Sequence, residues 1–416
     1  MNQSAVIDNS ESPFRDDAKV IGLVGLGHAI SHFSQLVLPP LFPLLKAEFG
    51  VSNVQLGVIM TAFFVVSGIG QALAGFLVDR VGARGVLFTG IAIIGLAIFG
   101  VALSQNYISL VACGALLGLG NCIFHPANFT ILNKRVSKAR LSHAFSTHSV
   151  TGFLGWALAP LFVTSLVVPF GWRGALMGAS ALVFITLAIL MLFRRHLALP
   201  IDSNKAHSEH DATASTFGFL RLPLVWMCFG FFLLTSLAVS GIQTFMPSAL
   251  QQLYEITPWL AGSSITLFML ASAGGTIVGG FLANNTNRQD RIIAIAFICA
   301  ALAAFIIASA AIPTWATMIM LGLIGFAGGV VSPSRDLLVR AASPKNATGR
   351  VYGVVYSGLD SGQALGPLLF GLLMDTDHPH WVFIMIGAFQ LFAVFTATGV
   401  GSKALRATNN RSLSFR

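Results

Sequence analysis

The sequence predicts an all-α membrane protein of twelve transmembrane helices, arranged as two pseudo-symmetric six-helix bundles with both termini cytoplasmic. Three observations carry that prediction: an apolar composition, about twelve apolar stretches of spanning length, and a repeat that maps one half of the chain onto the other.

Hydrophobic residues make up 55% of the 416-residue chain and charged residues only 9%, with a mean hydropathy of +0.80. A water-soluble domain of this length would not carry such a surface. A helix crosses about 30 Å of hydrocarbon with about 20 apolar residues. Stretches of that kind lie near 20–45, 53–79, 84–104, 107–133, 140–168 and 172–194, then 221–250, 257–283, 291–312, 314–340, 348–374 and 380–402. Runs such as Ile91 to Val101 are apolar on every side, whereas membrane strands would alternate apolar and polar residues.

The net charge of +9 does not indicate nucleic acid, because the basic residues follow the spans. Of the 24 Lys and Arg, roughly 22 fall on one side and only Lys46 and Arg173 on the other, which makes the first side cytoplasmic. The first 18 residues contain no apolar signal core and read as a tail, so the first span directs insertion. Cys113, Cys122, Cys228 and Cys299 lie inside spans without paired spacing and read as small packing residues.

The longest polar stretch between spans, Arg194 to Arg221, divides the helices six and six. Residues 1–18 are thus expected to be a disordered cytoplasmic tail, 19–194 one bundle, 195–220 a cytoplasmic linker, 221–402 the second bundle and 403–416 a cytoplasmic tail. Gly118, Pro126, Lys138, Gly155, Ala157, Leu158 and Pro160 recur 207 positions later as Gly325, Pro333, Lys345, Gly362, Ala364, Leu365 and Pro367. Pro40 and Pro247 share that offset. Duplicated halves imply a carrier whose cavity is exposed alternately to the two sides.

Between the second and third spans runs Gly75-Phe-Leu-Val-Asp79-Arg80-Val-Gly82-Ala-Arg84. Gly75 would permit close helix contact, Asp79 would accept charge-assisted hydrogen bonds, and Gly82 would let the chain reverse. The stretch resembles the loop signature of the major facilitator superfamily, which implies the major facilitator fold and a gate built from Asp79, Arg80 and Arg84. In the second half Gly280-Phe-Leu-Ala-Asn284 replaces the acid by an amide.

Gly27-His28-Ala-Ile-Ser31-His32 and Gly118-Leu-Gly-Asn-Cys-Ile-Phe124-His125-Pro126 bring the chain nearer to the fosmidomycin-resistance group of drug exporters, which these stretches resemble. His32 stands where that group tends to carry an acid, Ala127 where it tends to carry a glutamate, and Gly114 where related drug and proton antiporters tend to carry an arginine. Gly155-Trp-Ala-Leu-Ala-Pro160 resembles the exporters' fifth-helix motif, and Gly366-Pro367 belongs to its eleventh-helix counterpart. These small residues and prolines are expected to serve helix packing and bending.

Ionisable side chains at bilayer depth are costly and mark function by default. On the first helix His28, Ser31, His32 and Gln35 form one stripe, and on the fourth Asn121, His125 and Asn128 form another. His28, His125 and His148 each lie about 13 Å deep at 1.5 Å per residue. Imidazole suits a carrier coupled to protons. His28 and His32 at i and i+4 also have the spacing of a shared metal ligand pair, but no thiolate or acid matches it, so no resident metal is expected. In the second half Gln243, Arg335, Asp336, Tyr356, Asp360 and Gln363 complete the expected substrate and proton site, with Asp360 as the exchanging carboxylate. The segment from Asp375 to His380 reads as a solvated outer loop.

The expectation from sequence is a multi-pass secondary carrier of the bacterial inner membrane, neither an enzyme nor an ATP-driven pump, since no Gly-x-x-x-x-Gly-Lys-Ser/Thr loop is present. It exports a small anionic or amphiphilic organic compound in exchange for protons, or alternatively imports an organic acid or metal chelate. A membrane sensor or intramembrane enzyme is the reading from another class. The expected partners are the substrate, protons and lipid, with no nucleic acid and no cofactor, in a chain that works as a monomer.

Overall fold

The structure is a computed structural model and describes residues 13–199, 223–286, 288–342 and 348–413. Every regular element among the described residues is helical. The order is α1 (Phe14–Gln35), α2 (Phe42–Phe49), α3 (Asn53–Val81), α4 (Ala83–Leu103), α5 (Tyr107–Asn121), α6 (Phe124–Arg135) and α7 (Leu141–Leu192). There follow α8 (Pro223–Thr244), α9 (Met246–Tyr254), α10 (Pro258–Asn284), α11 (Gln289–Ala308), α12 (Thr314–Ala342), α13 (Thr348–Asp375) and α14 (His380–Leu413).

Ten helical segments among the described residues are long and apolar enough to cross a membrane. The expected count of twelve differs from this at two places. α7 is assigned as one helix of 52 residues, about 78 Å at 1.5 Å per residue and far longer than a bilayer needs. Gly171, at φ 67° and ψ 174°, interrupts it, so the chain has two arms here, as the expected boundary near 168–172 requires. α13 falls outside the ten because Tyr352, Tyr356, Ser357, Asp360, Ser361 and Gln363 dilute its apolar residues.

Local chemistry explains several boundaries. Asn106 caps α5 in a reciprocal box with Ser109, whose N–H it accepts at 2.9 Å. Thr257 caps α10 just ahead of Pro258. Gly50 ends α2 in the left-handed region at φ 63°. Gly82, at φ 93°, makes the turn between α3 and α4 that the sequence anticipated. Gly75 corrects the companion expectation: nothing lies within 4 Å of where its side chain would begin. Among the described residues of its own unit it borders a groove lined by Val78, Pro126 and Phe129.

The described helix begins at Phe14, inside the stretch expected to be a disordered tail. Asp16 and Asp17 lie in the first turn of α1, where the helix dipole favours acids. Asp17 is 1% exposed; it accepts from Ser137 Oγ at 2.6 Å and Arg140 Nε at 2.8 Å. At the other end, α14 runs on to Leu413, past the expected limit at 402. The expected linker 195–220 lies mostly outside the described residues.

The chain forms two compact units, one of Met1–Leu38 with Ala62–Lys205, the other of Pro39–Thr61 with Ala206–Arg416. The stretch 39–61, expected in the first bundle, therefore groups with the second unit. There Asp375, at the end of α13, accepts from Asn53 N–H at 2.7 Å, Asn53 Nδ2 at 2.8 Å and Val54 N–H at 2.9 Å. A carboxylate so placed satisfies the first turn of α3 while Asp375 and the turn after it stay exposed, as the reading of a solvated loop expects. Phe232, Ile293, Phe297, Val331, Val355 and Ala393 belong to the buried core of the second unit.

The repeat reappears as close backbone contacts. In the first unit a Cβ on Gly118 would run into the Phe63 carbonyl, and one on Gly155 into the carbonyl of Ala29. In the second, Gly325 sits on the Phe268 carbonyl, and Gly362 on Ser236 and the Leu233 carbonyl. Ala29 and Ser236 are themselves 207 positions apart. Gly366 packs against Ser240, and Pro160 is buried within α7. Small residues at these crossings let helix axes approach closely where side chains would hold them apart.

Candidate functional site

The first unit gathers a connected polar interior from α1, α3, α5, α6 and α7. Ser31 Oγ donates to Asn121 Oδ1 at 2.6 Å. Asn121 Nδ2 donates to Ser67 Oγ at 3.0 Å, and Trp156 Nε1 donates to Gln35 Oε1 at 3.0 Å. Gln35 Nε2 makes a long 3.5 Å contact to Asn121. The two stripes read from sequence thus meet. Ser67 and Trp156 had not been singled out: a serine in an apolar helix carries no signal of its own, and Trp156 was legible only as part of the Gly155-Pro160 motif.

α5 ends at Asn121 and α6 begins at Phe124, so the fourth expected span is broken next to His125. Pro126 contributes to the break, because it lacks the N–H that would close onto the Cys122 carbonyl. From this break and from α1 and α7 come four imidazoles. The His28 and His148 rings stack with centroids 3.5 Å apart. His32 lies 4.3 Å and His125 5.7 Å from His28, and His125 lies 6.2 Å from His148. On its other side His32 rests 4.1 Å from Trp156. His143 is exposed on the same helix as His148 and takes no part in these ring contacts.

Hydrogen bonds orient the cluster. His28 Nδ1 lies 2.7 Å from the His148 carbonyl oxygen; a carbonyl can only accept, so Nδ1 carries the proton. In the neutral ring Nε2 then holds the lone pair, and this atom is buried without a partner. Asn128 Nδ2 lies 3.2 Å from His148 Nε2. Two imidazolium charges 3.5 Å apart would repel by about 5 kcal/mol at an effective dielectric of about 20, so the stacked pair holds at most one. Gly152 makes room: a side chain there would come within 2.8 Å of His32 Cε1 and 2.9 Å of His28 Cε1.

The second unit holds a smaller set. Gln363 Nε2 donates to Gln243 Oε1 at 3.2 Å, and the atoms Gln243 Nε2 and Gln363 Oε1 are buried without a hydrogen-bond partner among the described residues. Arg335 Nε donates to its neighbour Asp336 at 2.9 Å and its guanidinium lies over the Phe232 ring at 4.9 Å. Tyr356 donates to the same carboxylate at 3.3 Å. Arg335 is thus paired with Asp336, while Asp360 stands exposed one turn from Tyr356 on α13. Of the expected gate, Arg84 Nη1 donates to the Arg194 carbonyl at 3.3 Å and Arg80 is exposed. The Asp79 side chain lies outside what the structure describes.

Imidazoles, amides and a carboxylate among apolar helices are costly in lipid. The profile of the Major Facilitator Superfamily matches residues 24–321 and 290–411. The chain belongs to that superfamily. It is a multi-pass membrane transporter, as its relatives in the superfamily are. The MFS-type transporter YfnC of Bacillus subtilis is 27% identical over 364 residues, 86% of each chain. The fosmidomycin resistance protein of Escherichia coli is 22% identical over 284 residues, 67% of this chain and 68% of the relative. The multidrug resistance protein MdtG of Salmonella typhi is 23% identical over 361 residues, 85% and 88%. A probable L-galactonate transporter of Escherichia coli is 22% identical over 362 residues, 80% and 78%.

Among solved structures, the fold resembles a bacterial homologue of the human lysosomal transporter Spinster, at a TM-score of 0.73, 15% identity and coverage of 96% and 98%. The nucleoside transporter NupG resembles it at a TM-score of 0.71 and 14% identity, with coverage of 91% and 99%.

Proposed function

We propose that this superfamily member is a secondary active transporter of the bacterial inner membrane, exporting a small anionic or amphiphilic, drug-like compound in exchange for protons by alternating access. The observation that carries the reading is the meeting of His28, His32, His125 and His148 with Gln35, Asn121 and Asn128 inside membrane-depth helices. Such groups are costly in lipid unless function retains them. Imidazoles take up and release protons near neutral pH with modest changes of surroundings. Asp360 supplies a carboxylate for the same exchange, and Gln243, Gln363, Arg335, Asp336 and Tyr356 contact substrate in the second half.

In this reading the chain crosses the membrane twelve times, with the two arms of α7 and with α13 counted as spans and both termini cytoplasmic. Asp79, Arg80 and Arg84 latch the cytoplasmic side, and the chain works as a monomer. Export is favoured by the relatives named for resistance, the fosmidomycin resistance protein and MdtG. A second reading, import of an organic acid, is favoured by the relative named for L-galactonate.

Purified protein in proteoliposomes under an imposed pH gradient provides the test, with efflux substrates such as fosmidomycin and organic acids such as L-galactonate as probes. Export predicts substrate movement against the proton flow, lost in His125→Ala and in Asp360→Asn. Unchanged pH-driven flux in both variants would remove these residues from the mechanism. Deletion of the gene raises cellular accumulation of the compound if the protein exports it and lowers it if the protein imports it.

A further inference from the structure

The i, i+4 spacing of His28 and His32 did not by itself make a metal site. Tertiary structure brings a different set together. His28, His125 and His148 each offer a ring nitrogen, and these three atoms lie within 4.8 Å of one another. From this geometry we infer that they form a tri-imidazole site for a divalent late first-row transition-metal ion, carried either bare or inside a small chelate as cargo.

In a tetrahedral site with metal–nitrogen bonds of 2.0–2.1 Å the ligand nitrogens stand about 3.3 Å apart, so closure from the present spacing requires the stacked His28 and His148 rings to turn out of parallel. His28 is turned by donation from Nδ1 to the His148 carbonyl at 2.7 Å, the arrangement in which a metal-binding histidine fixes its tautomer and points the other nitrogen at the ion. That other nitrogen, Nε2, is buried and unpartnered in a side chain only 3% exposed. Asn128 Nδ2 donates to His148 Nε2 at 3.2 Å, a hydrogen bond that an ion at that nitrogen replaces. His125, by contrast, is exposed, so the cluster is closed on two sides and open on the third. Three protein nitrogens with an open position suit an ion that keeps a water or a donor atom of a chelate.

The donor set selects the class of ion. Imidazole suits zinc, nickel and copper, whereas magnesium and calcium require oxygen ligands. No carboxylate or thiol belongs to the triad. His32, with its Nδ1 also buried and unpartnered, places a fourth imidazole 4.3 Å from His28, a neighbouring nitrogen to which a moving ion can pass.

The inference rests on the reading of this cluster as the site that meets cargo, but its test requires no transport. Full-length protein without a histidine tag, purified in detergent and stripped with chelator, is titrated with Co2+ and then with Zn2+. One Co2+ per chain should bind at micromolar concentration or below, with the intense visible bands of a low-coordinate nitrogen site, and Zn2+ should displace it. His125→Ala, whose side chain is exposed and whose loss spares the core, should weaken binding by at least about 100-fold. His378→Ala with His380→Ala, which removes the one other described histidine pair in ring contact beyond the helix interior, should leave it unchanged.

Absence of Co2+ binding, or binding equal to wild type in a His125→Ala protein that melts normally, would overturn the inference. If metal binds as expected but no compound moves in proteoliposomes, the transport reading fails and the site stands. If an organic compound moves under a pH gradient while no metal binds, the site fails and the transport reading stands.

Discussion

Replacing Asp17 by Asn should be among the more destabilising single-atom changes in the first unit. The Asp17 side chain is 1% exposed and meets Arg140 Nε at 2.8 Å, with Ser137 Oγ at 2.6 Å on the same oxygen. The bare Coulomb energy of such a pair is about 6 kcal/mol at an effective dielectric of about 20, but desolvation of both ions offsets much of it. Removing one member of a buried pair costs about 3–5 kcal/mol because the other is left unpaired. Arg140 keeps 29% of its side chain exposed and can turn its charge to solvent, which brings the expected cost of Asp17→Asn to about 2–3 kcal/mol. A double-mutant cycle with Arg140→Gln, read by reversible unfolding in mixed micelles, should return a coupling energy of about 1–3 kcal/mol. Additivity within about 0.5 kcal/mol, or a single-mutant cost below that, would refute the placement of this pair as an anchor of α1.

Further outcomes follow from other contacts. Gly155→Val and Gly362→Val should each lower stability by about 1–3 kcal/mol, since both face backbone or Cβ atoms across a helix crossing; equal melting of variant and wild type at either site would contradict the mapped repeat. Asn121→Ala strands the Ser31 and Ser67 hydroxyls and should cost about 1–3 kcal/mol, with Asn121→Asp failing to restore the donor to Ser67. Burial pushes the Asp375 carboxyl up, but N–H donors from Val54 and Asn53 outweigh it and hold the group below its ordinary range. A depressed folded value means that its contribution is complete above the ordinary carboxylate pKa of about 3.9 and is lost as pH falls through the folded value. Melting curves of wild type and Asp375→Asn should therefore differ at pH 7 and converge in strong acid.

Much of the architecture was legible because glycine and proline do backbone work that other residues cannot. Gly118 and Gly155 recur as Gly325 and Gly362 since each pair occupies a crossing without room for a side chain. The histidine and amide stripes stood out because the membrane-depth stretches of those helices are otherwise mostly apolar, and their faces do converge. What stayed hidden depended on partners distant in sequence or on a polar helix start that imitates a tail. Asp17 lies 120 positions from Ser137, and no local pattern announces the pair. Phe14 to Asp17 is polar enough to pass for a disordered leader, yet its acids suit the first turn of a helix. Gly75 matched a motif, yet no described atom lies within 4 Å of where its side chain would begin. Neither could the grouping of Pro39–Thr61 with the second unit be read from a hydropathy profile, which orders segments along the chain and not in space.

The interruption between α5 and α6 bears on how the imidazole cluster can rearrange. An intact helix changes the depth of one side chain only by bending against a continuous ladder of hydrogen bonds. Here the rung onto Cys122 is already missing at Pro126, one residue beyond His125. Rotation of α6 about that joint alters the angle of His125 and Asn128 together while Asn121 keeps its grip on Ser31 and Ser67. The cluster thus sits beside a gap in the hydrogen-bond ladder of its own span, where a change in the direction of α6 breaks no existing rung onto Cys122.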